Sequence, residues 1–209
     1  MDRTEIIKEY DRALDDGDIE RAIRISAEAL AEADTEFARL RNSGLPSDDA
    51  LALSTMIGSL HVEALFHAGA LADAFSTGML LLYRELSFGH IESGSRDTTA
   101  ILFTMLMALF RFMESSASPD DPSTSTHASA IAALLGSLLS RISKRTFAPD
   151  SPDPLYINVR AMLADLNSMG AIKEGTAKID GRLINLDNAA DLLADAAGRA
   201  RAISLFSVD

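Results

Sequence analysis

From Asp18 to Asn42 the chain runs without a proline or a glycine, and Ile19, Ala22, Ile23, Ser26, Ala29, Leu30, Ala33 and Phe37 recur along it at spacings of three and four. That spacing lays one apolar and small-residue stripe along an α-helix of 3.6 residues per turn. A stripe this long needs other elements to bury it, so the segment predicts packing of helix on helix. Asp16-Gly17 precedes it and Ser43-Gly44-Leu45-Pro46 ends it. Gly17 takes the left-handed conformation that closes a preceding helix, and Asp18 caps the next one.

The same reading carries along the chain. A first helix covers about Arg3 to Asp15, with Ile6, Ile7, Tyr10 and Leu14 on one stripe. A third runs from about Ser47 to His67 and a fourth from about Leu71 to Ser87, before breaks at Phe88-Gly89-His90 and Ser93-Gly94-Ser95. The fifth, about Asp97 to Ser115, is apolar nearly all round and belongs at the centre of a stack. After the polar stretch SSASPDDPSTST, read as a mobile loop, a sixth spans about His127 to Thr146 and ends in Arg141, Lys144 and Arg145. Asp153 then caps, and Pro154 opens, a seventh helix to about Met169. Ala177–Ile179 and Leu183–Asn185 flank Asp180-Gly181, a hairpin-turn dipeptide, and a last helix is expected over Asn188–Ser204.

Composition agrees and narrows the partners. Of 209 residues 47% are hydrophobic, only 6% are aromatic and none is Trp, so Ala, Leu, Ile, Met and Phe must fill the core. The net charge of -12 works against nucleic acid and anionic lipid, both of which ask for a positive surface. Seven Lys or Arg face 14 Asp or Glu in the first fifty residues, so a basic partner would meet that end first. No cysteine is present, which excludes disulfides and thiolate metal sites. The charged N-terminus carries no apolar leader, and the apolar run Ala100–Phe110 falls short of the roughly 20 residues of a membrane span; a cytoplasmic location and no membrane partner are expected.

Placing Gly17 over Gly69 sets GDIERAI on GALADAF and Leu30 on Leu82. Tyr10, Ala13, Gly17, Ala22, Ala29 and Leu30 then match Val62, Leu65, Gly69, Ala74, Leu81 and Leu82 at an offset of 52 residues. In these residues the first 90 positions resemble degenerate tetratricopeptide repeats (TPR), in which two helices pair across a turn with Gly near the turn and Ala at the close contact. The departures are an offset longer than the family's 34 residues, a displaced Pro46 and a long loop in the third unit. The resemblance implies an all-α fold of antiparallel helix pairs stacked as a TPR-like right-handed superhelix with a short C-terminal β-hairpin. One domain would cover 1–209: helix pairs at 1–46, 47–96 and 97–148, then C-terminal helices with the hairpin at 149–209. A generic helical bundle that uses Gly and Ala for close packing is the alternative.

The resemblance also implies a concave groove lined by the first helix of each unit, at Asp11 and Leu14 in unit one and at Ser59, Glu63, Phe66 and His67 in unit two. Acid and His stand where a peptide-carboxylate clamp needs Lys, Arg and Asn, so a basic or apolar segment suits this groove better than a C-terminal carboxylate. As ordinary surface residues they would need no such role.

Chemistry is harder to find. Glu63 and His67 share a helical face, but His61 lies six residues from His67, roughly 600° around the helix, and points elsewhere, so no metal site is expected. His90 with Glu92 and Ser93 lacks any nucleophile-elbow or oxyanion pattern. Asp15-Asp16, Asp48-Asp49 and Asp120-Asp121 suit solvated helix ends and loops. Met105, Met107 and Met113 with Phe103, Phe110 and Phe112 fit core packing, or an adaptable ligand groove. No catalytic residue and no cofactor is implied. The expected function is a non-enzymatic protein-interaction module that binds a peptide or helix of a partner. The alternative is a regulatory domain with a small-molecule cavity between helices three to five. The C-terminal hairpin and helix suit either capping of the stack or a homodimer.

Overall fold

The computed structural model describes residues 2–88, 95–115, 122–168, 176–179 and 182–185, without the side chains of residue 86, residues 122–130 and the last two segments. Among these are seven helices: α1 Arg3–Asp15, α2 Ile19–Asn42, α3 Asp48–His67, α4 Leu71–Ser87, α5 Arg96–Ser115, α6 Pro122–Thr146 and α7 Pro154–Ser168. Each packs on its neighbour in sequence, and α5 also packs on α3. The fold is all-α and compatible with a helical repeat.

α1, α2 and α3 all end on one kind of backbone turn, at Gly17, Gly44 and Gly69. At the end of α1 the Gly17 N–H donates to Leu14 O at 3.0 Å and Asp18 N–H to Ala13 O at 2.8 Å; at the end of α3 Gly69 N–H donates to Phe66 O and Ala70 N–H to Leu65 O, both at 3.0 Å. Both are the paired bonds of a Schellman turn, and Gly17 (φ 71°) and Gly69 (φ 76°) hold the left-handed position that such a turn requires. Five residues further on, Ala22 and Ala74 are both fully buried where the second helix of each pair approaches the first. Asp18 caps α2, accepting from Arg21 N–H at 3.0 Å.

The buried residues form two clusters. One joins Ile6, Tyr10 and Ala13 of α1 to α2 and to Met56, Ile57 and Ala64 of α3. The larger gathers α3 through α7 around Ile101, Leu102, Met105, Leu106 and Leu109 of α5, and Leu30 of α2 touches both. α3 therefore contributes to cores on two sides, and every residue from Ser54 to Ser59 is buried. Close approach is set by glycines. A methyl group on Gly58 would stand 2.6 Å from Leu81 Cδ1, and one on Gly78 would stand 2.5 Å from Met105 Cγ. Polar groups tie the same helices together: Asp34 of α2 accepts from Ser54 of α3 and Arg84 of α4, and Thr55 donates to Glu85.

Some boundaries differ from expectation. α6 begins at Pro122, five residues ahead of His127, because proline at the first helical position costs no hydrogen bond and lets PSTST join the helix. Residues 116–121 of the expected loop, and the expected last helix, lie outside the described residues. Thr176–Ile179 and Arg182–Asn185 pair antiparallel, and the Asp180-Gly181 turn between them lies outside the described residues. Among the described residues α5 alone is long and apolar enough to cross a membrane by length and composition, and half of its most apolar stretch is buried against other helices.

Candidate functional site

Four of the six residues singled out in sequence share one groove. Ser59, Glu63, Phe66 and His67 form its α3 wall, Arg96, Ala100, Phe103, Thr104 and Met107 its α5 wall, and Leu155 and Asn158 of α7 its third side, around a cavity of about 350 Å³. The spacing of 59, 63, 66 and 67 puts all four on one helical face. α1 does not reach it. Among the described residues, Asp11 lies in a surface depression lined by α1 and Asp16, and Leu14 packs against the core between α1, α2 and α3.

The floor is apolar. Phe66 is buried, and the Arg111 guanidinium sits 4.2 Å from its ring centroid, a cation–π contact that closes one side of the ring. Phe103, Met107 and Leu155 are half-buried, packed on the core with one side left to the groove. The rim is polar. Glu63 and His67 are each 47% exposed with their side chains 3.9 Å apart. Ser59 donates its hydroxyl to Met56 O at 2.7 Å, so it is already satisfied on its own helix.

Arg96 and Asp153 fasten the α7 wall. Arg96 Nε donates to Asp153 Oδ2 at 3.0 Å, and the other carboxylate oxygen accepts the Leu155 backbone N–H at 2.8 Å, as the sequence reading of Asp153 as a cap requires. Hydrogen bonding to Arg96 holds the Asp153 carboxyl below its ordinary range. Beside it, burial pushes the Asp97 carboxyl up, opposed by Arg3 and Arg96. Arg96 thus stands among acids of its own chain. Glu63, beside His67, is the acid of the groove's described lining.

Behind Glu63, Tyr10 donates its hydroxyl to Leu60 O at 2.9 Å and joins α1 to α3. Burial raises its pKa strongly, and the Glu63 carboxylate adds to the effect. His61 turns to α2, as its position on the helix requires. Ser26 Oγ lies 2.8 Å from Ala22 O and shares a 3.0 Å hydrogen bond with His61 Nδ1. Burial pushes the His61 imidazole below its ordinary pKa. Among the described residues no group of three His, Asp or Glu converges on a metal position. His90, Glu92 and Ser93 lie outside the described residues.

Sequence reasoning missed Arg96, Leu155 and Asn158, and it gave Phe103 and Met107 to the core first. The cavity has α3 and α5 as two of its walls, as the alternative reading of a cavity between helices three to five asks, with α7 as the third. Gly58 and Gly78 bring α4 close to α3 and α5 on the other side. Compared with models of known families, with curated proteins and with solved structures, the chain matches none.

Proposed function

We propose that this chain is a non-enzymatic, TPR-like interaction module whose groove between α3, α5 and α7 holds a peptide or helix of a partner protein. The observation that carries this reading is the composition of the groove: an apolar floor of Phe66, Phe103, Met107 and Leu155 under a rim bearing Glu63. Such a surface suits a segment that presents bulky apolar side chains and a positive charge. In this reading the helix pairs stack as a right-handed superhelix within one cytoplasmic domain spanning 1–209, and the C-terminal hairpin caps the last pair or joins two copies. The packing of each helix on its neighbour in sequence supports the stacking.

The test is an affinity capture from cytosol with the wild-type chain beside a Glu63→Lys, His67→Ala variant, read by mass spectrometry. A partner held by the first and lost by the second supports the groove. A partner held equally by both rejects it.

A small ligand is the second reading, favoured by one observation: a cavity of about 350 Å³ falls at the small end of known ligand pockets. A compound that raises the melting temperature of the wild type and leaves that of Met107→Arg unchanged would establish it.

A further inference from the structure

We infer that Arg84 of α4 holds a small carboxylate carried on an apolar body, at a second site between α2 and α4 that shares no residue with the groove.

The guanidinium of Arg84 is only partly engaged. Its Nη1 donates to Asp34 Oδ1 of α2, and the same oxygen accepts the Ser54 hydroxyl from α3. The side chain is 15% exposed, and its Nε and Nη2 are both buried with no hydrogen-bond partner among the described residues. These two nitrogens form one edge of the guanidinium. Their N–H bonds run parallel, at the spacing of the two oxygens of a carboxylate. Donors buried in this way carry the full cost of their lost hydration until an acceptor meets them. The Phe37 ring does not serve as that acceptor: its centroid lies 5.8 Å from Arg84 Cζ, at the outer limit of a cation–π contact.

The surroundings select among anions. Phe37 meets Phe88 edge on, with 5.2 Å between ring centroids, and Arg41 lies 4.2 Å over the Phe88 ring. The two rings supply an apolar wall, and Arg41 a second positive charge beside it. Acid is already present as well. Asp34 engages the guanidinium itself, and the buried Glu85, which accepts the Thr55 hydroxyl, follows Arg84 in sequence. A doubly charged phosphate is repelled by these acids twice as strongly as a carboxylate, which brings one charge and can rest its apolar body on the rings. The approach from solvent is short, since Asp34 is 45% exposed and Phe88 is only partly buried.

The test follows the Nε–H of Arg84 by nitrogen–proton correlation NMR in the full-length protein, while sodium benzoate, phosphate or chloride is added at matched ionic strength. Benzoate is expected to move this resonance to saturation, and phosphate and chloride are not. Arg84→Lys keeps a cation for Asp34 and loses the paired edge. The backbone amide shifts that accompany binding should then need on the order of tenfold more benzoate, the worth of one hydrogen bond to a charged group.

A resonance that benzoate moves no further than chloride does overturns the inference and makes water the acceptor. Saturation by phosphate as tight as that by benzoate overturns the choice of a carboxylate. Benzoate binding that leaves the Arg84 Nε–H in place, or that Arg84→Lys does not weaken, is an adventitious additive only and overturns the site. If Arg84→Lys fails to fold, the wild-type titration decides by itself.

Discussion

Asp153 divides its carboxylate between two jobs: one oxygen receives Arg96 Nε from α5, 57 residues away in sequence, and the other receives the Leu155 N–H at the start of α7. The first turn of α7 and the entrance to α5 are thereby held together at the end of the groove where Leu155 and Arg96 both line it.

Asp153→Ala removes both contacts and leaves an N-terminal N–H of α7 unpaired. It is expected to cost about 1 kcal/mol in urea unfolding, the usual worth of such a cap, with little added by an ion pair whose Arg96 side is 59% exposed. Asp153→Asn keeps an acceptor for Leu155 and should cost less. Because the folded carboxyl titrates below its ordinary 3.8, its contribution is complete above that pH and is lost as the pH falls through the lowered value.

Gly17→Ala and Gly69→Ala put a methyl group at φ 71° and 76° with nothing within 4 Å of it, so the penalty is conformational rather than steric. A left-handed L-residue costs roughly 1–2 kcal/mol, and the stiffer unfolded chain returns part of that. Each variant should lose about 1 kcal/mol by chemical denaturation. The two values should agree within a few tenths, since the two turns share one hydrogen-bond pattern.

Gly58→Ala tests close packing. The added methyl meets Leu81 Cδ1 at 2.6 Å and Cδ2 at 2.8 Å, and Leu81 is itself buried. Overpacking of about 1–3 kcal/mol exceeds the gain of about 1 kcal/mol from helix propensity. A net loss of about 1 kcal/mol is expected, and Leu81→Ala in the same chain should relieve the clash and show coupling in a double-mutant cycle.

His61 sets an acid limit. Its folded pKa lies below the ordinary 6.5 because burial disfavours the imidazolium, so below 6.5 the unfolded chain binds the extra proton first. The His61 contribution is complete above pH 6.5 and is lost as the pH falls through the lowered folded value. Melting temperatures measured from pH 7.5 to 5 should drop on the acid side, and His61→Asn should flatten that slope.

Much of the fold was legible because local signals and tertiary demands coincide here. Gly17, Gly44 and Gly69 each end a helix in the left-handed conformation, and Asp18 and Asp153 each cap the next, so five boundaries follow from single residues. α6 was harder, since Pro122-Ser-Thr-Ser-Thr reads as loop unless the proline is placed at the first helical position. The groove was half legible. Periodicity aligned Ser59, Glu63, Phe66 and His67, but nothing local says that Leu155 and Asn158 face them from α7. That pairing is created by packing, and by an ion pair between residues 96 and 153. Gly58 and Gly78 gave the least notice, because a glycine within a helix marks close approach only when its neighbour is known.

The matched turns at Gly17 and Gly69 also make the molecule divisible. A chain cut at one glycine and rejoined at the other meets the same paired backbone bonds at the helix exit, with Ala70 in place of the capping Asp18. A second copy of the 52 residues from Gly17 to Ala68, spliced in at Gly69, would enter and leave through backbone turns of a kind the protein already uses.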